Sequence, residues 1–275
     1  MKIVVVGGSG RVGSKLVDDL RQVDCRVFAA SPTYGVDTVT GRGLAEALAE
    51  AEVVVDVTNA PQLDGEAPLR FFEASGRNLL AAARAAGVRH HIALSIVGTD
   101  RLQASPYFRA KKIQEEMIAA SGIPFTIVRS TQFFEFIRDV VQAGTEREIP
   151  ISPALVQPIA VEDVADTLGD VVFGDPAGGM IEAAGPEQFG MDAVATEIAT
   201  AFEDTRRVVA DRHARYFGAE LEEQSLLPGP GARIAGLRFD DWLRRSLQPA
   251  WALTAGAHAE VREDGRHSNW ERKVS

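Results

Sequence analysis

The segment Lys2–Gly13, KIVVVGGSGRVG, constrains the fold of this chain more than any other part of it. Its first half, Ile3–Val6, is a run of β-branched residues that is too short for a helix and apolar on both faces, which is typical of a central strand in a parallel sheet. Helical spacing follows, with Leu16 and Leu20 four apart, after the glycines Gly7, Gly8, Gly10 and Gly13. The segment therefore predicts a strand, a glycine turn and a helix in that order.

The spacing of these glycines predicts a dinucleotide site. Gly7 allows a sharp exit from the strand, Gly10 lets the backbone approach a pyrophosphate, and Gly13 lets the helix pack close to the sheet. The amides and the dipole at the start of the helix then face the anion. A glycine-rich turn with a purely structural role is the alternative. The residues expected to contact the cofactor are Gly7, Gly8, Ser9, Gly10, Arg11, Val12 and Gly13.

Composition excludes several classes of protein. At 275 residues, with 45% hydrophobic and 25% charged residues, the chain can form one large α/β domain, with or without a small appended lobe. The net charge of -10 and the absence of a basic run interleaved with aromatic residues argue against nucleic-acid binding. A single cysteine, Cys25, excludes an internal disulfide, and no apolar run reaches the ~18 residues of a membrane span. Since the start does not resemble a signal peptide either, we expect a cytoplasmic protein.

The end of the second predicted strand, Arg26–Ala30, bears on which cofactor binds. An acidic residue about 20 positions beyond the glycines usually binds the ribose 2′-hydroxyl and repels a 2′-phosphate. Here that place holds Ser31 and Thr33, and no carboxylate occurs until Asp37. Arg11 in the glycine loop can supply a cation. The sequence thus predicts a preference for NADP(H), with NAD(H) as the alternative if Arg11 only faces water.

Two more strands are predicted at Glu52–Val57 and His91–Ile96. Because ligands bind at the carboxyl edge of an open α/β sheet, the residues that follow the first of these, Thr58, Asn59 and Ala60, are expected to border the dinucleotide. His90 and His91 are adjacent where the second strand begins, so their side chains point to opposite faces and cannot bind one ion together. No metal site is expected.

Candidate catalytic groups follow the fourth strand. A helix from about Ser105 to Ala120 places Tyr107 and Lys111 four residues apart, on one face. An adjacent ammonium stabilises a phenolate and so lowers a tyrosine pKa, normally about 10, toward the range needed for acid-base catalysis. Ser95, at the carboxyl end of the strand, can hydrogen-bond the reacting oxygen. These three residues form the predicted catalytic set.

The fifth predicted strand, Phe125–Arg129, leads to an aromatic cluster at the same edge of the sheet. We expect it to form an apolar substrate pocket, although simple core packing is an equal alternative for at least two of its phenylalanines. The cluster contains Gln132, Phe133, Phe134 and Phe136.

Beyond the fifth strand the alternation of strands and helices loosens. Further helices are predicted near 161–173, 191–202 and 239–247, a short strand at 178–182, another in the segment RRVVA, and a loop in LLPGPGARI. We therefore divide the chain into a Rossmann core at 1–145, the remaining sheet elements with a substrate lobe or lid at 146–257, and a loose polar tail at 258–275.

Several motifs together resemble the short-chain dehydrogenase/reductase superfamily, and most closely its atypical NmrA-like branch of NAD(P)H-binding proteins. They are GGSGRVG, RNLLAAARAAGVRHHIALSIVG, YFRAK, QFFEF and QPIAVEDVA, within roughly residues 1–250. The resemblance implies an α/β fold with a doubly wound, Rossmann-type parallel sheet of about seven strands. It also implies that NADP is preferred over NAD as the cofactor, that Ser95, Tyr107 and Lys111 are catalytic, and that Lys111 also holds the nicotinamide ribose.

These observations together predict an NAD(P)H-dependent oxidoreductase. It would transfer hydride to a small organic acceptor that is carbonyl-like, quinone-like or an azo compound, with Tyr107 as proton donor. Two alternatives remain: a non-catalytic NADP(H) sensor that controls a protein partner, as in regulators of the NmrA-like branch, and a nucleotide-sugar epimerase or dehydratase. The sequence leaves open the acceptor and whether the chain forms a homodimer.

Overall fold

The computed structural model describes residues 1–23, 25–143 and 147–248, so the predicted tail lies outside the described residues. The strands are β1 (Lys2–Val6), β2 (Arg26–Ala30), β3 (Val53–Asp56), β4 (His90–Ile96), β5 (Phe125–Ser130), β6 (Glu148–Ile151), β7 (Leu155–Val156), β8 (Gly179–Ala184), β9 (Phe189–Gly190), β10 (Arg207–Ala210) and β11 (Arg233–Ile234). The helices are α1 (Arg11–Leu20), α2 (Leu44–Leu48), α3 (Ala67–Ala85), α4 (Pro106–Ala120), α5 (Phe134–Ala143), α6 (Val161–Val172), α7 (Met191–Ala201) and α8 (Phe239–Ser246).

Seven of the strands form one sheet in the order β11-β8-β5-β4-β3-β1-β2. Every pair of neighbours in it is parallel. The order reverses beside β1, as it does in a doubly wound sheet, and this reversal leaves a crevice at the carboxyl ends of the strands. The predicted α/β, Rossmann-type sheet of about seven strands is confirmed.

Helices cover both faces of the sheet. Side chains of β1 alternate between the two faces, so that Ile3 and Val5 pack with α1 and α6, whereas Val4 and Val6 pack with α2, α3 and α4. All four are at most 1% exposed. This two-sided burial is the reason that the first strand is a continuous apolar run.

The predicted strand in RRVVA is present as β10, which pairs with β6 in a separate two-stranded sheet. The second half of the chain differs from the prediction in two places. The segment predicted to be a loop contains β11, the edge strand that pairs with β8. A helix that was not predicted, α5, begins at Phe134. A strand of two residues, such as β11, is too short to show a period, so the sequence pattern did not reveal it.

A third hydrophobic core, beside the two on the faces of the sheet, joins the second half of the chain to α3 and α4. It contains residues of α5, α7 and α8 together with Tyr107 and Phe108 of α4. At its centre, Phe134 stacks on Trp242, with 5.1 Å between the ring centroids. None of the helices in the described part of the chain is both long and apolar enough to cross a membrane.

Gly13 offers a direct test of how closely α1 packs. A Cβ at this position would lie 2.2 Å from the carbonyl oxygen of Gly7, which is backbone and cannot move aside. Although alanine is the better helix former by ~1 kcal/mol, we expect Gly13→Ala to lower the free energy of unfolding by about 1–3 kcal/mol. Urea denaturation measures this difference. Gly179→Ala is the control, since its Cβ would meet nothing closer than 3.9 Å; equal stability of the two variants would contradict the close packing.

The burial of His90 predicts that the folded protein loses stability in acid. Its ring is 4% exposed and hydrogen-bonds Thr126 Oγ1 at 2.9 Å, and burial, with His91 beside it, lowers its pKa from 6.5 to about 4. Because the unfolded chain binds this proton near pH 6.5, stability is complete above that pH and is lost as the pH falls toward 4, by about 3 kcal/mol at most.

Melting temperatures recorded between pH 7 and pH 4 check this expectation. His90→Gln cannot titrate and should flatten part of the pH dependence, whereas the exposed His213→Gln should leave it as in the parent protein. An unchanged slope in His90→Gln would assign the acid sensitivity to other groups.

Candidate active site

A cavity of about 770 Å³ opens at the carboxyl ends of β1 to β5. The glycine loop lines one part of it, and residues that follow β2, β3 and β5 line other parts, together with residues of β4 and α4. This is the edge at which open parallel sheets bind ligands. Of the residues predicted to bind cofactor or substrate or to act in catalysis, the structure brings to this cavity Gly7, Ser9, Gly10, Arg11, Val12, Gly13, Ser31, Thr58, Asn59, Ser95, Tyr107, Lys111, Gln132, Phe133 and Phe136.

The glycine loop is built to receive an anion. Gly7 has a φ of +86°, and its amide donates to the carbonyl of Ala30, which turns the chain out of β1. Gly10 precedes α1, and no side chain caps the start of this helix within the described residues. The first amides of α1 are therefore left for a ligand, and the residues present fit a pyrophosphate.

Two side chains lie where the ribose of a dinucleotide is expected. The Ser31 hydroxyl is buried and has no hydrogen-bond partner in the described parts of the chain. Arg11 donates to Asp139 Oδ2 at 2.7 Å, and both of these side chains remain roughly half exposed at the cavity. Asp139 gave no signal in the sequence, because α5 brings it to Arg11 from 128 residues away.

Tyr107 lies inside the cavity wall. Its ring is 7% exposed, and its hydroxyl donates to Asn59 Oδ1 at 3.1 Å. Burial raises the pKa of the phenol well above its ordinary value, and the hydrogen bond to Asn59 offsets only part of that effect. The expected lowering of this pKa by the ammonium of Lys111 is not found in the protein without cofactor, where burial raises the pKa. The phenol therefore keeps its proton at neutral pH.

Lys111 is buried on the same helix. Its Nζ donates to Leu94 O at 2.8 Å and to Gln114 Oε1 at 2.5 Å, and it lies 4.6 Å from the centre of the Phe72 ring. Burial lowers its pKa to about 8, against the attraction of Asp56 and Glu115. A group with this pKa still carries a positive charge at neutral pH.

Ser95 differs from the expectation. Its hydroxyl donates to Glu115 Oε1 at 2.6 Å, and Glu115 in turn forms an ion pair with Arg129, which is also bound to Asp100. The side chains of β4 alternate, so Ser95 faces α4. Although Ser95 lies at the cavity, its hydroxyl hydrogen is engaged by Glu115 in this arrangement and is not free for a substrate oxygen.

The aromatic end of the cavity contains residues that the sequence did not reveal. Two of the residues predicted for the substrate pocket, Phe133 and Phe136, line it. Tyr216 and Phe217, from the second half of the chain, line it as well. The Phe217 ring stacks on Tyr107 at 4.7 Å and on Phe136 at 5.4 Å. Tyr216 and Phe217 lie in a loop without periodicity, which gave no signal in the sequence.

Four of the predicted residues are not among those that line the cavity: Gly8, Thr33, Ala60 and Phe134. Gly8 packs against Ala29, where a Cβ would come within 2.8 Å. Phe134 is in the core because α5 starts there, and its helical spacing from Ile137 and Val141 turns it toward Trp242.

Gln132 lies between the two ends of the cavity. It is 3% exposed, and neither its amide nitrogen nor its amide oxygen has a partner within the described ranges. A buried amide without partners is costly, so this side chain is suited to a polar group of a ligand. Across those same residues, no group of three or more His, Cys, Asp or Glu side chains is placed to hold a metal ion.

Two curated proteins have sequences similar to part of this chain. The photosystem II assembly factor Ycf39 of Cyanophora paradoxa is 26% identical over 149 residues, which are 49% of this chain and 46% of that protein. The (4-alkanoyl-5-oxo-2,5-dihydrofuran-3-yl)methyl phosphate reductase of Streptomyces griseus subsp. griseus is 31% identical over 144 residues, 48% of each chain. The similarity spans about half the length of these relatives.

Solved structures with low sequence identity share the fold. The UDP-glucose 4-epimerase of Thermus thermophilus in complex with NAD superposes with a TM-score of 0.63 and 18% identity, over 91% of this chain and 94% of that chain. In sequence, the model of a family described as NAD(P)H-binding matches residues 7–174, more than half of the chain. This chain therefore belongs to that NAD(P)H-binding family, within the NmrA-like branch of the atypical short-chain dehydrogenase/reductases.

Proposed function

We propose that this protein is an NAD(P)H-dependent oxidoreductase that reduces a small organic acceptor, with Tyr107 as the proton donor. The observation that carries the proposal is a buried, protonated phenol in the same cavity as an uncapped, glycine-rich helix start. The similarity to a reductase over about half of the chain supports the reaction type. The aromatic end of the cavity favours an acceptor with an apolar body.

Each part of the cavity has its own task in this reaction. The amides at the start of α1 bind the pyrophosphate of the cofactor, and the ammonium of Lys111 holds the nicotinamide ribose. The reduced nicotinamide supplies a hydride. Tyr107 gives its proton to the acceptor oxygen, so that a carbonyl gains a hydride and a proton and leaves as an alcohol. Lys111 stabilises the resulting phenolate, and a solvent proton restores the phenol.

The hydrogen bond to Asn59 keeps the Tyr107 hydroxyl in place until an acceptor oxygen competes for it. Stacking of Phe217 on the phenol ring excludes water from this side of the cavity. We assign Ser95 to the hydrogen-bonded set of Glu115 and Arg129, and a direct contact with the acceptor requires its hydroxyl to leave the Glu115 carboxylate.

We expect Tyr107→Phe to reduce turnover by about 10²- to 10⁴-fold, because proton transfer from the phenol is lost while the ring and its packing remain. NADPH oxidation in the presence of aldehydes, ketones, quinones and azo dyes measures turnover, and fluorescence titration with NADPH measures affinity, which should stay nearly unchanged. Tyr34→Phe is the control, since Tyr34 is 58% exposed and does not line the cavity.

Two outcomes would contradict this proposal. Turnover by Tyr107→Phe at the parent rate would show that another group donates the proton. Tight NADPH binding by the parent protein without consumption in the presence of any acceptor would favour the non-catalytic sensor instead.

We further propose that NADP(H) is preferred over NAD(H). Ser31 supplies an unpartnered hydroxyl to the cavity and Arg11 supplies a guanidinium. The first carboxylate after β2 is Asp37, which lines the cavity and accepts from the amides of Val39 and Thr40. Arg11 is already paired with Asp139, so a 2′-phosphate has to compete with this carboxylate for it.

Arg11→Ala should weaken NADPH binding by roughly tenfold or more and leave NADH binding unchanged, because only NADPH carries the phosphate that a charged donor would bind. Parallel fluorescence titrations with the two cofactors check this. Arg21→Ala, at the opposite end of α1, is the matched control. An equal loss for NADPH and NADH would assign Arg11 to the cavity wall and not to the phosphate.

A further inference from the structure

Asp56 is a buried carboxylate beneath the cavity that the sequence analysis did not consider. It is the last residue of β3, is 4% exposed and faces α3 and α4. Both of its oxygens accept hydrogen bonds. Oδ2 accepts from Gln114 Nε2 at 3.0 Å, and Oδ1 accepts from the Thr58 amide at 3.0 Å and from the Thr58 hydroxyl at 2.6 Å.

The first oxygen, Oδ2, is linked to Lys111 through the side-chain amide of Gln114. Gln114 donates to Asp56 and accepts from Lys111 Nζ at 2.5 Å. With the nitrogen and the oxygen of the amide each engaged, the orientation of Gln114 is fixed by the carboxylate on one side and the ammonium on the other. Lys111 also donates to Leu94 O, so its ammonium is held by two acceptors.

The second oxygen, Oδ1, is linked to Tyr107 through the loop that follows β3. Both bonds from Thr58 hold the backbone at the start of this loop. The next residue, Asn59, accepts the Tyr107 hydroxyl at 3.1 Å and the Ala60 amide at 2.9 Å with the same oxygen. The position of the phenol hydroxyl therefore depends on a loop that Asp56 orders.

We propose that Asp56 is a positioning residue that places both the ammonium of Lys111 and the hydroxyl of Tyr107, using one carboxylate oxygen for each. The inference rests on the proposed function for its catalytic meaning. It goes beyond that function because Asp56 itself touches neither cofactor nor substrate. Asp56 instead sets the charge of Lys111 and the positions of Lys111 and Tyr107, the two side chains that make those contacts.

Among the charged groups around Lys111, Asp56 is the main anion that stabilises the ammonium. On α4, Glu115 is ion-paired with Arg129 of β5, so its charge is already compensated. On β4, burial lowers the pKa of His91, which keeps that ring neutral, and α3 presents the uncharged ring of Phe72. Tyr107, one turn before Lys111 on α4, retains its proton at neutral pH, and the neighbouring Lys112 is paired with Asp100. Asp56 therefore supplies the larger share of the negative charge that offsets the burial of the ammonium, ahead of Glu115.

The pKa of Lys111 tests the proposal directly. The chain has five lysines, so ¹³C NMR of protein labelled at lysine Cε resolves them, and the loss of one signal in Lys111→Arg assigns Lys111. We expect Asp56→Asn to lower the titrated pKa of Lys111 by about 1, because a buried charge is removed. Gln114→Leu should lower it as well, since an acceptor of the ammonium is lost. Asp64→Asn, an exposed carboxylate in the same β3–α3 connection, is the control and should change nothing.

A second readout follows the same ammonium through the cofactor. At pH 8 and above, Asp56→Asn should bind NADPH at least several-fold more weakly than the parent, whereas near pH 6, where Lys111 is protonated in both, the two should be alike. If Asp56→Asn does not give a cooperative melting transition, Gln114→Leu carries the test. A Lys111 pKa unchanged in every folded variant overturns the positioning role.

Failure of this inference and failure of the proposed function are distinguishable. If the parent protein binds NADPH but reduces no acceptor, the oxidoreductase proposal fails, while the NMR titration still decides whether Asp56 sets the charge of Lys111. If the parent protein turns over and the Lys111 pKa does not respond to Asp56→Asn or Gln114→Leu, only the positioning role fails.

Discussion

The site depends first on the direct backbone contact between α1 and the glycine loop. At Gly13 the helix approaches the carbonyl of Gly7 so closely that a single methyl group would overlap it. Because no side chain separates the two, the start of α1 lies at the carboxyl edge of the sheet, where its free amides and the positive end of its dipole face the cavity. The rest of the site is arranged around an anion held at this point.

Beneath the cavity, buried polar side chains form two sets, each held together by its own hydrogen bonds. Burying these groups without partners would be costly. In one, Ser95 binds Glu115, which pairs with Arg129. In the other, Asp56 binds Gln114, which binds Lys111. Within each set the side chains serve as hydrogen-bond partners for one another, so their positions are fixed. Gln132 and Ser31 differ, because their polar atoms are buried beside the cavity without partners in the described chain, which suits them to a ligand.

Burial also decides the protonation of the two residues proposed for catalysis. It raises the pKa of Tyr107 and lowers that of Lys111, so each is shifted toward its neutral form. A lysine four residues from a tyrosine predicts a shared helix face, and both side chains do line one cavity. The spacing carries no information on the depth of burial, which depends on Phe72 and Phe217, far away in the chain.

The sequence by itself determined the elements with a clear pattern and the glycine turn, and from these the parallel sheet and the family. These elements are β1 to β5, β8, α1, α3, α4 and α6 to α8. Only the tertiary structure decided the partners of the buried polar groups and the wall of the cavity. Asn59 and Tyr107 are 48 residues apart, Asp56 and Gln114 58, and Arg11 and Asp139 128. Local periodicity reports which face of an element is buried, whereas such distant pairs arise only when packing brings two elements together.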